Sequence, residues 1–446
     1  MTTYRAPYLD ETGPLTLPPT RRRKLSVKLV EVFIFVAPLL QFVQLRVVGL
    51  LFGTDILLLL AFPLALRNNL QKLKQRQVFM IVLFGLAWFV SQVLTDFIRD
   101  SPRGDYLRGW SKIALTVTHF LTLWLLINKS PRRFLIYGFG LVSGQLLTLV
   151  INPSPYFKGS PWKFGYGWPL TLLVFLLCTT LPFFRKHTSL MTLFMLGAAM
   201  TNLFMGARSL ALTSLLASVY IFSRRSTQNS RVRKFSLALT VVTVMLSALL
   251  FVSLYEHLAE NGILGEKAKD TFETQQQGEG GLLLGGRGEI MVSSMAIADS
   301  PIIGHGSWAR DPKYMFILEE RRRQLGYGRH FYGKGNDLIP SHSYIFGAWV
   351  EAGVMGAVFW FYILCIVVQT LLKVNGREPI LPISIFMASA LFWNIFFSPY
   401  GATERFTATY LICGVLVLRH LSRSTSSPQS AFALQWAPNG NGGQNS

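Results

Sequence analysis

Twelve apolar runs, spread along most of the chain, decide what this sequence can become. They fall at 29–45, 47–66, 77–96, 113–128, 134–151, 168–184, 189–205, 208–223, 235–254, 343–372, 380–397 and 407–420. Most approach the ~20 residues that a helix needs to cross the hydrocarbon layer of a membrane. Inside that layer water cannot satisfy backbone N–H and C=O groups, so such runs become helices rather than isolated strands. The expectation is an all-α polytopic membrane protein with about twelve transmembrane helices. Composition agrees, with 51% hydrophobic residues, a mean hydropathy of +0.38 and only 15% charged residues, against about 25% charged in soluble domains.

The formal net charge of +21 does not point to nucleic acid, because the basic residues cluster between apolar runs. The short loops at 67–76, 129–133, 185–187, 224–234 and 373–379 carry Arg67, Lys72, Lys129, Arg133, Arg185, Arg225 and Lys373 and almost no acids. The positive-inside rule assigns them to the cytoplasm. Alternate loops at 96–112, 153–168 and 398–406 mix charge with aromatics and are expected outside. Residues 1–28 form a polar tail ending in Arg21, Arg22, Arg23, Lys24 and Lys28, without the apolar core of a signal peptide. The resulting plan is a cytoplasmic tail at 1–28, nine membrane helices in 29–254, a large outward loop at 255–342, three more helices in 343–422 and a disordered cytoplasmic tail at 423–446. The pair at 189–223 is either a full hairpin or a re-entrant turn, separated only by Gly206, Ala207 and Arg208. Cys178, Cys365 and Cys413 each lie in an apolar run, as small hydrophobes rather than disulfide or zinc partners.

A loop as long as 255–342 is commonly functional or disordered. This one contains a short amphipathic run at 290–298, a second helical stretch at 314–323 and an irregular aromatic and basic segment at 326–335. Three residues stand out where helices meet the outer face. Arg208 opens an apolar run, as an interfacial anchor or as a group inside the bundle. Arg287 lies in Gly285-Gly286-Arg287-Gly288-Glu289, where glycines permit close backbone approach and a guanidinium fits phosphate oxygens; a solvated loop arginine is the alternative. His342, in Pro340-Ser341-His342-Ser343-Tyr344, precedes a helix whose N-terminal end favours a neutral imidazole able to accept a proton; a merely packed histidine is the alternative. Asp55 lies about midway along its run and Glu351 two to three turns into another. Intramembrane acids are either functional or paired with a structural partner. Glu351 follows His342 by nine positions, about half a turn out of phase on a continuous helix, so the two need not share a site. The stretch 328–334 lacks the Ser or Thr of a phosphate-binding loop, and His305, His330 and His342 lack zinc spacing. No cofactor or metal is expected.

Four patterns in order resemble the superfamily of O-antigen ligases and O-antigen polymerases, bacterial membrane glycosyltransferases. They are Gly206-Ala207-Arg208-Ser209, Gly286-Arg287-Gly288-Glu289, Ser300-Pro301-Ile302-Ile303-Gly304-His305-Gly306, and Ser341-His342-Ser343-Tyr344 followed by Glu351-Ala352-Gly353-Val354-Met355-Gly356. The likeness covers residues 180–400, and the N-terminal half matches only by helix count. The family usually carries Asn after its histidine, where this chain has Ser343. The resemblance implies transfer of a glycan from undecaprenyl diphosphate to an acceptor hydroxyl at the outer face of the bacterial inner membrane, without nucleotide sugar or metal. Both termini would be cytoplasmic and the large loop periplasmic. Catalytic roles then fall to Arg208, Arg287 and His342, and substrate binding to Arg208, Arg287, His305 and Tyr344. The partners implied are the lipid bilayer, the lipid-linked oligosaccharide and a glycan or lipid-A-core acceptor, with no nucleic acid. Polymerase and ligase both fit. The alternatives are a transporter or flippase of lipid-linked oligosaccharide, against which the long outward loop and the lack of internal repeats argue, and a regulatory membrane subunit.

Overall fold

The computed structural model describes residues 19–47, 49–67, 69–226, 233–266, 269–270, 272–273, 288–324, 337–374, 376 and 378–425. The described residues form sixteen α-helices and one small hairpin of strands. In order they are α1 (Pro19–Leu39), the antiparallel β1 (Gln44–Arg46) and β2 (Leu50–Phe52), α2 (Gly53–Arg67), α3 (Arg76–Ile98), α4 (Arg103–Ile127) and α5 (Pro131–Ile151). Then follow α6 (Gly167–Thr180), α7 (Pro182–Lys186), α8 (Thr188–Phe204), α9 (Arg208–Ser226), α10 (Arg233–Glu260), α11 (Gly288–Asp299) and α12 (Pro312–Gln324). The last four are α13 (Tyr344–Ala352), α14 (Val354–Lys373), α15 (Leu381–Phe397) and α16 (Glu404–Thr425).

Among the described residues, five helical segments are long and apolar enough to cross a membrane, namely α3, α4, α5, the 242–260 part of α10, and α14. The shorter α8 and α15 are also apolar. On α3 the residues Phe79, Leu83, Leu86, Val90, Leu94 and Phe97 are all exposed, a continuous apolar face that water would not tolerate on a monomer. The opposite face of α3 packs on α4 and α14. At the centre, α4, α5, α6, α14, α15 and α16 bury Trp124, Tyr137, Phe175, Trp360, Phe386 and Tyr410. Phe175 and Phe386 stack there with ring centres 4.3 Å apart.

Hydropathy located the apolar segments and missed where they break. The run at 47–66 opens with the strand hairpin, which leaves Asp55 in the first turn of α2 rather than midway along a helix. The loop expected at 96–112 is mostly helix, because α4 begins at Arg103. Pro182 cannot donate to the ladder and separates α6 from α7. The run at 343–372 is two helices, because Gly353 sits at φ 66° and ψ −162°, a conformation essentially restricted to glycine. The stretches expected to be helical in the large loop are α11 and α12, whereas 326–335 and Arg287 fall outside the described residues.

Between α8 and α9 the chain turns tightly. Ala207 N–H donates to Asn202 C=O at 2.8 Å and Gly206 N–H to Leu203 C=O at 3.1 Å, with Gly206 at φ 75°. This paired closure with a left-handed glycine satisfies carbonyls that the end of a helix would leave orphaned. The two helices pack side by side as a hairpin.

Basic loops distant in sequence meet at one end of the bundle. Burial, and then the charges of Arg133 and Lys129, hold the Lys72 ammonium below the usual lysine range. Arg225, lowered first by burial, also feels Arg185.

Candidate functional site

The other end of the bundle holds a cavity of about 1160 Å³. Its wall is drawn from the β1–β2 hairpin, the start of α4, the end of α5, the stretches at 308–309 and 338–342, α13, and the residues leading into α16. Lys112, on this wall, lies 15 residues before the end of α4, a rise of about 22 Å from the basic end. Charged groups of both signs face the space, with Arg46, Arg108, Lys112 and Arg405 beside Glu289, Glu351 and Glu404. His342 and the aromatic rings of Trp88, Trp308, Tyr344 and Tyr400 complete the lining. Ligand pockets commonly measure about 300–1,000 Å³, so this one has room for a large amphiphile or several sugar rings.

His342 is exposed and immediately precedes α13, whose N-cap is Ser343. The Ser343 hydroxyl accepts from Phe346 N–H at 3.2 Å and donates to Ile395 C=O at 2.7 Å. Serine thus does the work of an N-cap here and pins the histidine's neighbour to α15. Tyr344 is fully buried among Trp360 and Tyr400, with centroids 4.8 Å away in both cases. Glu351 lines the same cavity as His342 and pairs with the Lys112 ammonium. The half-turn offset between them on a continuous helix does not arise, since His342 lies before the helix and the backbone at Ser343 is extended.

Glu351 is placed by a small docking device. Breaking the helix at Gly353 frees carbonyls that a continuous helix would have used, and buried carbonyls need donors. His305 N–H donates to Val350 C=O at 2.7 Å and Gly306 N–H to Glu351 C=O at 3.0 Å. Ser91 Oγ supplies Ala352 C=O at 2.8 Å. The 300–307 turn is anchored in its turn by α3. Arg99 donates to Gly304 C=O at 2.9 Å and to Ser300 Oγ at 2.7 Å. Asp96 accepts from Ser307 N–H at 2.6 Å, Ser307 Oγ at 2.7 Å and Trp110 Nε1 at 2.9 Å.

Of the residues singled out in the sequence, His342 and Tyr344 line the cavity, whereas Arg208 and His305 do not. Arg208 donates to Tyr255 Oη at 3.0 Å and lies 5.0 Å from the centre of that ring, joining α9 to α10. The His305 imidazole Nε2 lies 2.7 Å from Ala296 C=O, which ties the turn to α11. Arg287 is outside the described residues; Glu289, two positions later, lines the cavity.

Sequence reading passed over Lys112, His119, Glu404 and Arg405. The clue used for Arg208, a cation where an apolar run meets an outer loop, applies equally to Lys112 and Arg405. Asp55 has its partners in this group. Its carboxylate accepts from Arg405 at 2.8 Å and from Phe52 N–H at 2.7 Å, and its Oδ1 lies 3.0 Å from His119 Nε2. His119 also stacks on Phe406, with centroids 5.3 Å apart. In the 398–406 segment, burial raises the Glu404 carboxyl above the usual carboxylate range, against hydrogen bonds from Thr403 and Gly401 that lower it. Burial likewise raises the Tyr400 phenol. No protein-family profile matches the chain, and no curated protein matches it significantly.

Proposed function

We propose that this chain is an integral-membrane glycosyltransferase that moves a glycan from a polyprenyl-diphosphate carrier to an acceptor hydroxyl, in O-antigen or exopolysaccharide assembly. The topology belonging to this reading has about twelve membrane segments in the bacterial inner membrane, with both termini cytoplasmic and the 255–342 loop periplasmic. The observation that carries it is the cavity shared by His342, four cations and several aromatic rings, at the end of the bundle opposite the basic loops. Aromatic faces suit sugar rings and cations suit phosphate oxygens. The positive-inside rule then turns the cavity outward.

In this reading the acceptor hydroxyl attacks the anomeric carbon as His342 takes its proton. The bond from that carbon to the diphosphate oxygen breaks, and the diphosphate leaves as an anion held by cationic side chains, Arg287 among them. One direct displacement inverts the anomeric centre, and no metal takes part. General-base help of this kind is worth roughly a hundred- to ten-thousand-fold in rate. Arg208, which packs on α10 away from the cavity, is given no contact with the reacting atoms here.

The test is His342→Ala and, separately, Arg287→Ala, expressed in a strain lacking the endogenous gene. Glycan transfer should disappear while the protein still inserts into the membrane, and the carrier lipid should accumulate its substrate. Single repeat units on the carrier would identify a polymerase, and long carrier-bound chains a ligase. Normal product from either variant would remove the proposal's chemistry.

A further inference from the structure

The aromatic rings on the cavity wall are not equivalent. Trp88 and Tyr344 are each 1% exposed and Tyr400 is half-buried, whereas Trp308 keeps 38% of its surface open. Trp308 also has φ 52°, in the left-handed region that a bulky side chain rarely enters. Both of its neighbours are fixed. Ser307 donates to Asp96 through its N–H and its hydroxyl, and Ala309 C=O accepts from Ile339 N–H at 2.8 Å. Before them Gly306 stands at φ 94°, where a Cβ would lie 2.4 Å from Ser101 Oγ. Helix α4 presses on the same turn, since a Cβ on Gly109 would fall 1.9 Å from Ser307 Oγ. A backbone so over-determined can hold a residue in a costly conformation, and such outliers cluster at ligand clamps. Packing alone does not account for a large ring that is both strained and open.

Polar groups suited to a sugar stand beside this ring. On α4, Arg108 places its guanidinium carbon 5.8 Å from the centre of the Trp308 ring, and Lys112, one turn further on, pairs with Glu351. The Lys112 and Glu351 side chains are 13% and 18% exposed, and both line the cavity. Gly306 N–H donates to Glu351 C=O at 3.0 Å, so the turn carrying Trp308 is tied directly to the residue bearing this carboxylate. A hydroxyl group both donates and accepts, and an ammonium beside a carboxylate complements it on both counts. The C–H face of a pyranose ring suits the electron-rich face of an indole. We propose that Trp308 is the stacking platform of a sugar subsite, on which one pyranose ring lies while Lys112 and Glu351 hold its hydroxyls. The role of that sugar as donor or acceptor rests on the transferase reading; the subsite itself rests on the strained turn and the ion pair.

Saturation-transfer NMR on full-length, detergent-purified protein tests this, with oligosaccharides released by mild acid from the surface polysaccharide of the strain that carries the gene. Trp308→Leu and Trp308→Met keep an apolar side chain without an aromatic face, and Trp308→Phe restores a smaller ring. Phe164→Leu is the control, at an exposed aromatic that does not line the cavity. Binding about tenfold weaker is expected in the two non-aromatic variants, with Trp308→Phe recovering most of it and the control matching the native chain. No saturation transfer from the native chain to the sugar, unchanged affinity in a folded non-aromatic variant, or Trp308→Phe binding no better than Trp308→Leu overturns the proposal. In a glycan-transfer assay Trp308→Leu should raise KM for the acceptor or for the carrier-linked donor, which names the source of the ring; an unchanged KM for both overturns it. If His342→Ala leaves transfer intact while binding still depends on Trp308, the transferase reading fails and the subsite stands. If His342→Ala abolishes transfer while binding ignores Trp308, the subsite fails and the transferase reading stands.

Discussion

A Cβ built on Gly353 would lie 1.9 Å from the carbonyl oxygen of Ile302, and the backbone there adopts φ 66°, ψ −162°. Either fact alone excludes an L side chain without rearrangement. Gly353→Ala should therefore destabilise the protein by on the order of 3 kcal/mol. Gly197 in α8 is the internal comparison, since a Cβ there meets nothing within 4 Å, and Gly197→Ala should be neutral or stabilising by up to about 1 kcal/mol. Thermal melts of the two variants in detergent check the pair, and equal melting temperatures would refute the account of the break. Single residues were legible in the sequence where their chemistry is local. His342 stands out as an imidazole ahead of an apolar helix, whereas the capping role of Ser343 emerges only in the fold. The helix break at Gly353 was not legible, because a glycine within an apolar run carries no sign of the carbonyl that will press against it from 51 positions earlier.

The element that matters most to the cavity is the turn at 300–307, which lies against α3 and the break between α13 and α14. Its sequence, Ser300-Pro301-Ile302-Ile303-Gly304-His305-Gly306, invites a ligand-binding reading, and the imidazole makes that reading attractive. In the fold its backbone amides supply the carbonyls of Val350 and Glu351. The turn thereby sets where Glu351 meets Lys112. Asp96 anchors it through two donors of Ser307 and also accepts from Trp110 of α4, and removing a buried acceptor strands all three. Asp96→Ala should cost about 3 kcal/mol. The local signature is faster hydrogen exchange at the amides of His305 and Gly306, with the central amides of α15 unaffected. Retained protection at both amides would mean that the turn docks without Asp96. The helices themselves were readable from apolar runs, but their partners were not. Asp55, Arg405 and His119 come from three helices far apart in the chain, and a hydropathy profile records none of that pairing.

At the scale of the molecule, the two ends of the bundle differ in polarity. Lys72, Lys129, Arg133, Arg185 and Arg225 gather at one end, and the cavity occupies the other. That separation was foreshadowed by the alternation of basic and mixed loops, because loop charge is encoded locally whereas cavity shape is not. It leads to a sharp expectation for sidedness. Cys178 and Cys413 are buried and Cys365 half-buried; Cys→Ala removes only one sulfur atom at each, so a background in which all three become Ala should fold at a modest cost in stability. Into that background Ser130→Cys marks the basic end and Ser154→Cys, on the cavity wall, the opposite end. In right-side-out membrane vesicles a membrane-impermeant maleimide should label only the position-154 variant, and the position-130 variant should react only after detergent is added. Labelling of position 130 in sealed vesicles, with position 154 protected, would place the cavity on the cytoplasmic side. An outward supply of lipid-linked substrate would then have no access to His342.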